Sequence, residues 1–130
     1  MSGRWKNGFS IIRPPGHHSG SRNTINGFCI FNNVAIGARY LQSKYKTKRI
    51  AIIDWDIHFG DGTHQIFKDD EDVLFFSIHR YDYGSYYPSG EAGNYVNCGK
   101  GGPEGTKINI PLNFLNKKRK EYPFQAPGDN

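Results

Sequence analysis

The sequence predicts an α/β domain with a mainly parallel sheet, on three observations. Residues 49–54 and 72–79 are near-continuous apolar runs, as expected of strands buried on both faces of a parallel sheet. Between and before them lie segments with helical periodicity or helix-forming composition, giving a strand–helix–strand alternation with right-handed crossovers. The polar, histidine- and aspartate-rich segments fall where those strands run out, the place where α/β sheets bind ligands.

Each element has its own signal. Residues 9–13 read as a short apolar strand stopped by Pro14-Pro15-Gly16, which delivers His17 and His18 into a loop at a strand end. From residue 32 to 45, Val34, Ile36, Ala38, Leu41 and Tyr45 recur at mixed three- and four-residue steps, an amphipathic helix. The run 49–54 is expected to be a central strand. Residues 60–67 suit a short helix, 72–79 a second buried strand and 107–112 a third. The Gly-, Tyr- and Asn-rich stretch between the last two is long enough to expect a functional loop. The segment 113–130 has no periodicity and reads as an insertion or a frayed end.

Composition narrows the class. A chain of 130 residues suits one domain, and 36% hydrophobic residues with nine Phe and eight Tyr are enough for a core. The net charge of +5 is spread along the chain except at Lys117, Lys118, Arg119 and Lys120, a run that reads as solvated surface first and a nuclear-localisation signal second. Two cysteines outside any CxxC spacing suggest neither a disulfide framework nor a thiolate zinc site, and fit a reducing compartment. No apolar run approaches the roughly 20 residues needed to span a bilayer.

Asp54, Asp56 and His58, spaced i, i+2, i+4 beyond a strand, would project to one side of an extended backbone, with Trp55 and Ile57 on the other. Two carboxylates and an imidazole converging there suit a divalent metal such as zinc. Asp61 adds another carboxylate. Taken alone, a DxDxH is more often an acidic turn with a capping histidine. Beside the tandem His17 and His18 at another strand end, the combination offers the metal and the acid/base groups that hydrolysis of an unactivated amide requires.

Four blocks, RPPGHHS (13–19), NGFCIFNNVAIGA (26–38), IDWDIHFGDGT (53–63) and SIHRYD (77–82), resemble the zinc-dependent histone deacetylases, with PPGHH and HRYD similar to the class II branch. The resemblance covers residues 9–112, within a chain expected to be part of a single catalytic domain. It implies an arginase/deacetylase-like three-layer α/β/α sandwich. It also implies that Asp56 and His58 are zinc ligands, that His17 and His18 are the catalytic histidine pair, and that Asp54 and Asp61 are their carboxylate partners. Gly27, Phe28 and Tyr87 would line the acyl-lysine channel, with Tyr where the family usually has Phe. Asp54, Ser77 and the carbonyls of Asp56, His58 and Ile78 would hold a structural potassium ion, and the carbonyls of Phe67, Asp70 and Val73 a second. Cys29 is expected in the core.

The implied activity is removal of acetyl groups from lysine side chains of histones or other proteins, with acetylated polyamines as a further substrate class. The location is nucleus or cytoplasm, corepressor proteins are possible partners, and neither nucleic acid nor membrane is expected to bind directly. The family's third zinc ligand, an Asp, and its carbonyl-binding Tyr or His come later than residue 130, so the resemblance implies an internal piece that is inactive alone. Two other classes share parts of this pattern. A non-catalytic acetyl-lysine-binding or corepressor scaffold would keep the fold and lose turnover. A metallophosphoesterase, echoed by DIHFGD, lacks that class's downstream GNH.

Overall fold

In the computed structural model, residues 6–20, 25–99 and 102–114 are described. Helix α1 (Asn33–Tyr45) is followed by β1 (Ile50–Asp54), α2 (Asp61–Phe67), β2 (Val73–Arg80), a short 3-10 turn (Asp82–Gly84) and β3 (Lys107–Leu112). The strands form one parallel sheet in the order β1-β2-β3. The register pairs Asp54 with Ser77 and Ser77 with Asn109, so three polar residues stand abreast, at the carboxyl end of β1 and within β2 and β3.

The α1 start follows from its cap: the Asn32 side chain accepts from the Ala35 amide at 3.0 Å, satisfying one of the unpaired amides of the first turn. Lys46 ends the helix in the left-handed conformation. Ala35 and Ala38 of α1 and Phe67 of α2 pack with Phe59 onto Ile52, Val73 and Phe75, the face of the sheet that both helices cover. Along β2, Val73, Phe75, Ser77 and His79 are buried while their alternates are half-buried.

Two sequence expectations fail here. The run 9–13 forms no strand, and Phe9 and Ile11 stand exposed; an apolar run becomes a strand only with a partner to pair its amides, and none of the described residues offers one. The run 49–54 forms a strand but lies at the edge of the described sheet, with only Ile52 buried and Ile53 exposed, because the described helices cover one face. The remaining elements appear within a residue or two of expectation, and β3 matches it at both ends.

The loop between β2 and β3 is anchored from below. The Asn109 amide faces the carbonyls of Ala92, Asn94 and Asn97 at 3.2–3.4 Å, and the Cys98 carbonyl accepts from the Gly105 amide at 2.8 Å. Fixed in this way, the loop carries Tyr86 and Tyr87 to the carboxyl end of β1. The segment 115–130, with its basic run, lies outside the described residues.

Candidate active site

The loop bearing His17 and His18 is held by side chains and by α2. Asn32 Nδ2 donates to the Ser19 carbonyl at 3.1 Å and to Thr63 Oγ1 at 2.9 Å, and the Thr63 amide in α2 donates to the His17 carbonyl at 3.0 Å. Both imidazoles are buried, their ring centroids 4.1 Å apart.

Each imidazole is backed by a carboxylate. His17 Nδ1 lies 2.9 Å from Asp54 Oδ2, at the end of β1, and His18 Nδ1 lies 2.7 Å from Asp61 Oδ1, in the first turn of α2. An ionised carboxylate can only accept, so each Nδ1 carries the hydrogen and each Nε2 is left as the basic nitrogen. Burial by itself pushes the His17 imidazole down, but its bond to Asp54 and the charges of Asp54, Asp56 and Asp61 outweigh that, and its pKa is raised.

Asp56 and His58 converge, though not through the pleat of a strand. The strand ends at Asp54, whose Oδ1 accepts from the Asp56 amide at 3.1 Å; Asp56 Oδ1 in turn accepts from the His58 amide at 2.8 Å. Two successive aspartate turns, each side chain bonding the backbone two residues on, therefore do what an extended backbone was expected to do. They leave Trp55 and Ile57 exposed. Burial raises the Asp56 carboxyl, but the His58 amide, the His17 charge and the His58 ring bring it below the ordinary value.

Asp56 Oδ1 and His58 Nδ1 are 3.2 Å apart, and neighbouring ligands of a tetrahedral zinc at about 2.0–2.2 Å would stand roughly 3.3–3.5 Å apart. The donor set and its spacing fit zinc. Among the described residues no third His, Cys, Asp or Glu completes a cluster able to hold a metal.

The expected channel residues gather around the same rings. The Tyr87 ring lies 5.1 Å from His18 and 5.8 Å from His58, while Tyr86 stacks on His58 at 5.2 Å. Gly27 packs so closely on His18 that a Cβ would fall 2.2 Å from its ring, and its φ of +52° independently favours glycine. Phe28 stands exposed beside it. Sequence reasoning gave Asn26 no role, yet Tyr87 Oη donates to Asn26 Oδ1 at 2.6 Å and Asn26 Nδ2 donates to Asp61 Oδ2 at 3.2 Å. Tyr87 is thus wired, through Asn26, to the carboxylate behind His18. Burial and the Asp61 charge raise the Tyr87 hydroxyl's pKa, keeping it a donor.

Ser77, expected at a potassium site, is fully buried with its hydroxyl 2.9 Å from His79 Nδ1. The other His79 nitrogen faces the Gly93 carbonyl at 3.0 Å, which can only accept, and burial lowers this imidazole's pKa. Neutral His79 therefore takes the Ser77 hydrogen, leaving the serine's lone pairs available beside Asp54. Cys29 is fully buried, as expected, with its sulfur accepting from the Gly16 amide.

The histone deacetylase domain model matches residues 1–123. The chain belongs to the histone deacetylase family. It is 47% identical over 117 residues to histone deacetylase 6 of Caenorhabditis elegans, covering 90% of this chain and 12% of that protein. It is 45% identical over 117 residues to the polyamine deacetylase HDAC10 of Danio rerio, covering 90% of this chain and 17% of that protein. Among solved structures, the HDA15 HD domain superposes with a TM-score of 0.75 at 43% identity, over 82% of this chain and 29% of that one. The fold is therefore of the deacetylase α/β type, and the chain spans less than a fifth of the length of either curated relative.

Proposed function

We propose that the protein containing this chain is a zinc-dependent deacetylase that hydrolyses acetyl-lysine in histones or other proteins. The observation that carries this reading is the pair of adjacent imidazole–carboxylate couples, at 2.9 and 2.7 Å, beside Asp56 and His58. Asp56 and His58 would hold zinc together with a ligand from outside the described residues, and the ion would polarise the acetyl carbonyl and acidify water. His18, with Nδ1–H fixed by Asp61, accepts the proton of the attacking water at Nε2. Protonated His17, held at Nδ1 by Asp54, donates from Nε2 to the departing lysine amine. Gly27, Phe28 and Tyr87 enclose the lysine stem. Asp54, Ser77 and the carbonyls of Asp56, His58 and Ile78 are the candidate potassium ligands; the Ile57 carbonyl accepts from Arg80 at 2.9 Å, which folds the 55–58 loop over β2.

Similarity to polyamine deacetylases makes acetylated polyamines the second substrate class for the same chemistry. No helix among the described residues is long and apolar enough to cross a membrane, and the action proposed is on nuclear or cytoplasmic substrates.

The test is an assay of the full-length parent on an acetyl-lysine peptide and an acetylated polyamine, before and after chelation and on zinc restoration. Turnover that chelation abolishes and zinc restores is the expected result. Binding of the peptide without turnover would instead favour the scaffold reading. The 130-residue chain assayed alone should stay at background, because two protein ligands leave zinc weakly held; equal turnover by both would require a third ligand within this sequence.

A further inference from the structure

Lys107 opens β3 and is fully buried, and its ammonium is surrounded by oxygen. Nζ lies 3.1 Å from the Asp70 carbonyl, 2.7 Å from the Val73 carbonyl and 2.6 Å from Thr106 Oγ1. Pairing between β2 and β3 begins at Phe75 and Lys107, so the carbonyl of Val73, two residues earlier, has no β3 amide opposite it. The turn before β2 adds the Asp70 carbonyl. These oxygens converge because the loop and the strand start at the same corner, and a convergent group of carbonyls is a site for a desolvated monovalent cation.

The hydrogens on Nζ can be counted. The Thr106 hydroxyl donates to the Pro103 carbonyl at 2.5 Å, so towards Nζ its oxygen accepts. All three neighbours of Nζ then accept, and three donors require the protonated amine. Burial lowers the Lys107 pKa, while the charges of Asp70 and Asp69 oppose that fall.

By resemblance, the carbonyls of Phe67, Asp70 and Val73 were expected to bind a second potassium ion. They do not fit one here. The Asp70 and Val73 oxygens already hold the ammonium, and the Phe67 carbonyl accepts from the Asp70 amide at 3.0 Å.

We propose that Lys107 is a built-in cation, its ammonium occupying the carbonyl site at the start of β2 in place of a free potassium ion. The chain thereby replaces a dissociable ion, whose occupancy depends on ionic conditions, with a tethered one whose occupancy does not. This inference stands apart from the hydrolytic reading, because its readouts are ion position and thermal stability.

The experiment uses the full-length parent, wild type and Lys107→Ser, crystallised and soaked in thallium(I), a heavy surrogate for potassium. Wild type should show no anomalous peak in contact with the Asp70 and Val73 carbonyls, and Lys107→Ser should show one. In melts, Lys107→Ser in choline chloride should lose about 5 °C or more of Tm and recover most of it in potassium chloride. Lys107→Met, which fills the space without charge, should not recover. A thallium peak at these carbonyls in wild type would overturn the proposal, as would a Lys107→Ser variant as stable as wild type without potassium. Should Lys107→Ser fail to fold, the wild-type soak decides alone, since a peak refutes and a blank supports.

Discussion

The two ends of the β1-β2-β3 sheet handle charge in opposite ways. At the carboxyl end, Asp54, Asp56 and Asp61 face His17, His18 and His58 through side-chain contacts, with Asp56 and His58 more than a third exposed. At the start of β2 and β3, one ammonium is sealed in and bonded mainly to backbone carbonyls. Side chains held by side chains can exchange protons and admit a ligand, so the first arrangement suits chemistry. A charge held by main-chain oxygens has one satisfied state, and losing it strands those oxygens, so the second suits stability. Substitutions at the two ends should accordingly separate turnover from folding.

The largest effect is expected at the histidine pair. In the full-length parent, His18→Ala should lower kcat by about 10²-fold or more while zinc content stays near stoichiometric, because a general base is lost and no ligand is. Metal analysis beside steady-state kinetics checks this, and unchanged turnover would reject the role given to His18. Asp61→Asn sharpens the point: an amide can present its NH₂ to Nδ1 and stabilise the wrong tautomer, so kcat should fall by at least about 10-fold with little change in Tm.

The opposite pattern is expected at the other end. Lys107→Met should cost about 2–4 kcal/mol of unfolding free energy by denaturant titration, through carbonyls left without a donor, while kcat of the remaining folded enzyme stays within about 2-fold. A large loss of kcat in well-folded Lys107→Met would show that the two ends are coupled and would break the comparison.

Tyr87→Phe probes the link from the proposed channel wall through Asn26 to Asp61. Removing the hydroxyl frees Asn26 and loosens Asp61 without touching His18, so a fall in kcat of about 2- to 10-fold with a shifted pH–rate profile is expected. A change confined to KM would assign Tyr87 to the channel wall alone.

The smallest effect concerns pH. In the metal-free chain, histidine titration by NMR should place His17 above 6.5, and His64 of α2 and His79, both lowered by burial, below it. The two lowered residues bind protons more readily unfolded than folded, so their stabilisation is complete above about pH 6.5 and declines as pH falls. His17 works the other way, its contribution being full below about 6.5 and lost as pH rises through its folded value. Acidification from pH 7 to 5 should therefore lower Tm more in a His17→Gln chain, where only the two lowered groups remain, than in wild type.

What could be read without a structure, and what could not, divides along sequence distance. The apolar runs of β1 and β2, the periodicity of α1 and the DxDxH and tandem-histidine blocks are local patterns, and local patterns report which elements form and which groups can do chemistry. They did not report partners. Residues 9–13 have strand composition and pair with nothing described, and residues 49–54 have the composition of a central strand and lie at the edge of the described sheet.

β3 shows the limit most clearly. In KINIPL the alternation invites Ile108 and Ile110 inward and Lys107 and Asn109 outward, yet Lys107 and Asn109 are buried and the isoleucines partly exposed. The polar pair is buried because loop and turn carbonyls, brought by residues 70–73 and 92–97, await donors on that face. Asn26 escaped for the same reason, its partners Asp61 and Tyr87 being 35 and 61 residues away. Sequence alone indicated the helices and the three strands that form, the deacetylase resemblance and the candidate chemical groups. Tertiary structure decided which of those groups meet and which face of β3 is inside, because satisfying buried donors and acceptors depends on neighbours that only the fold brings together.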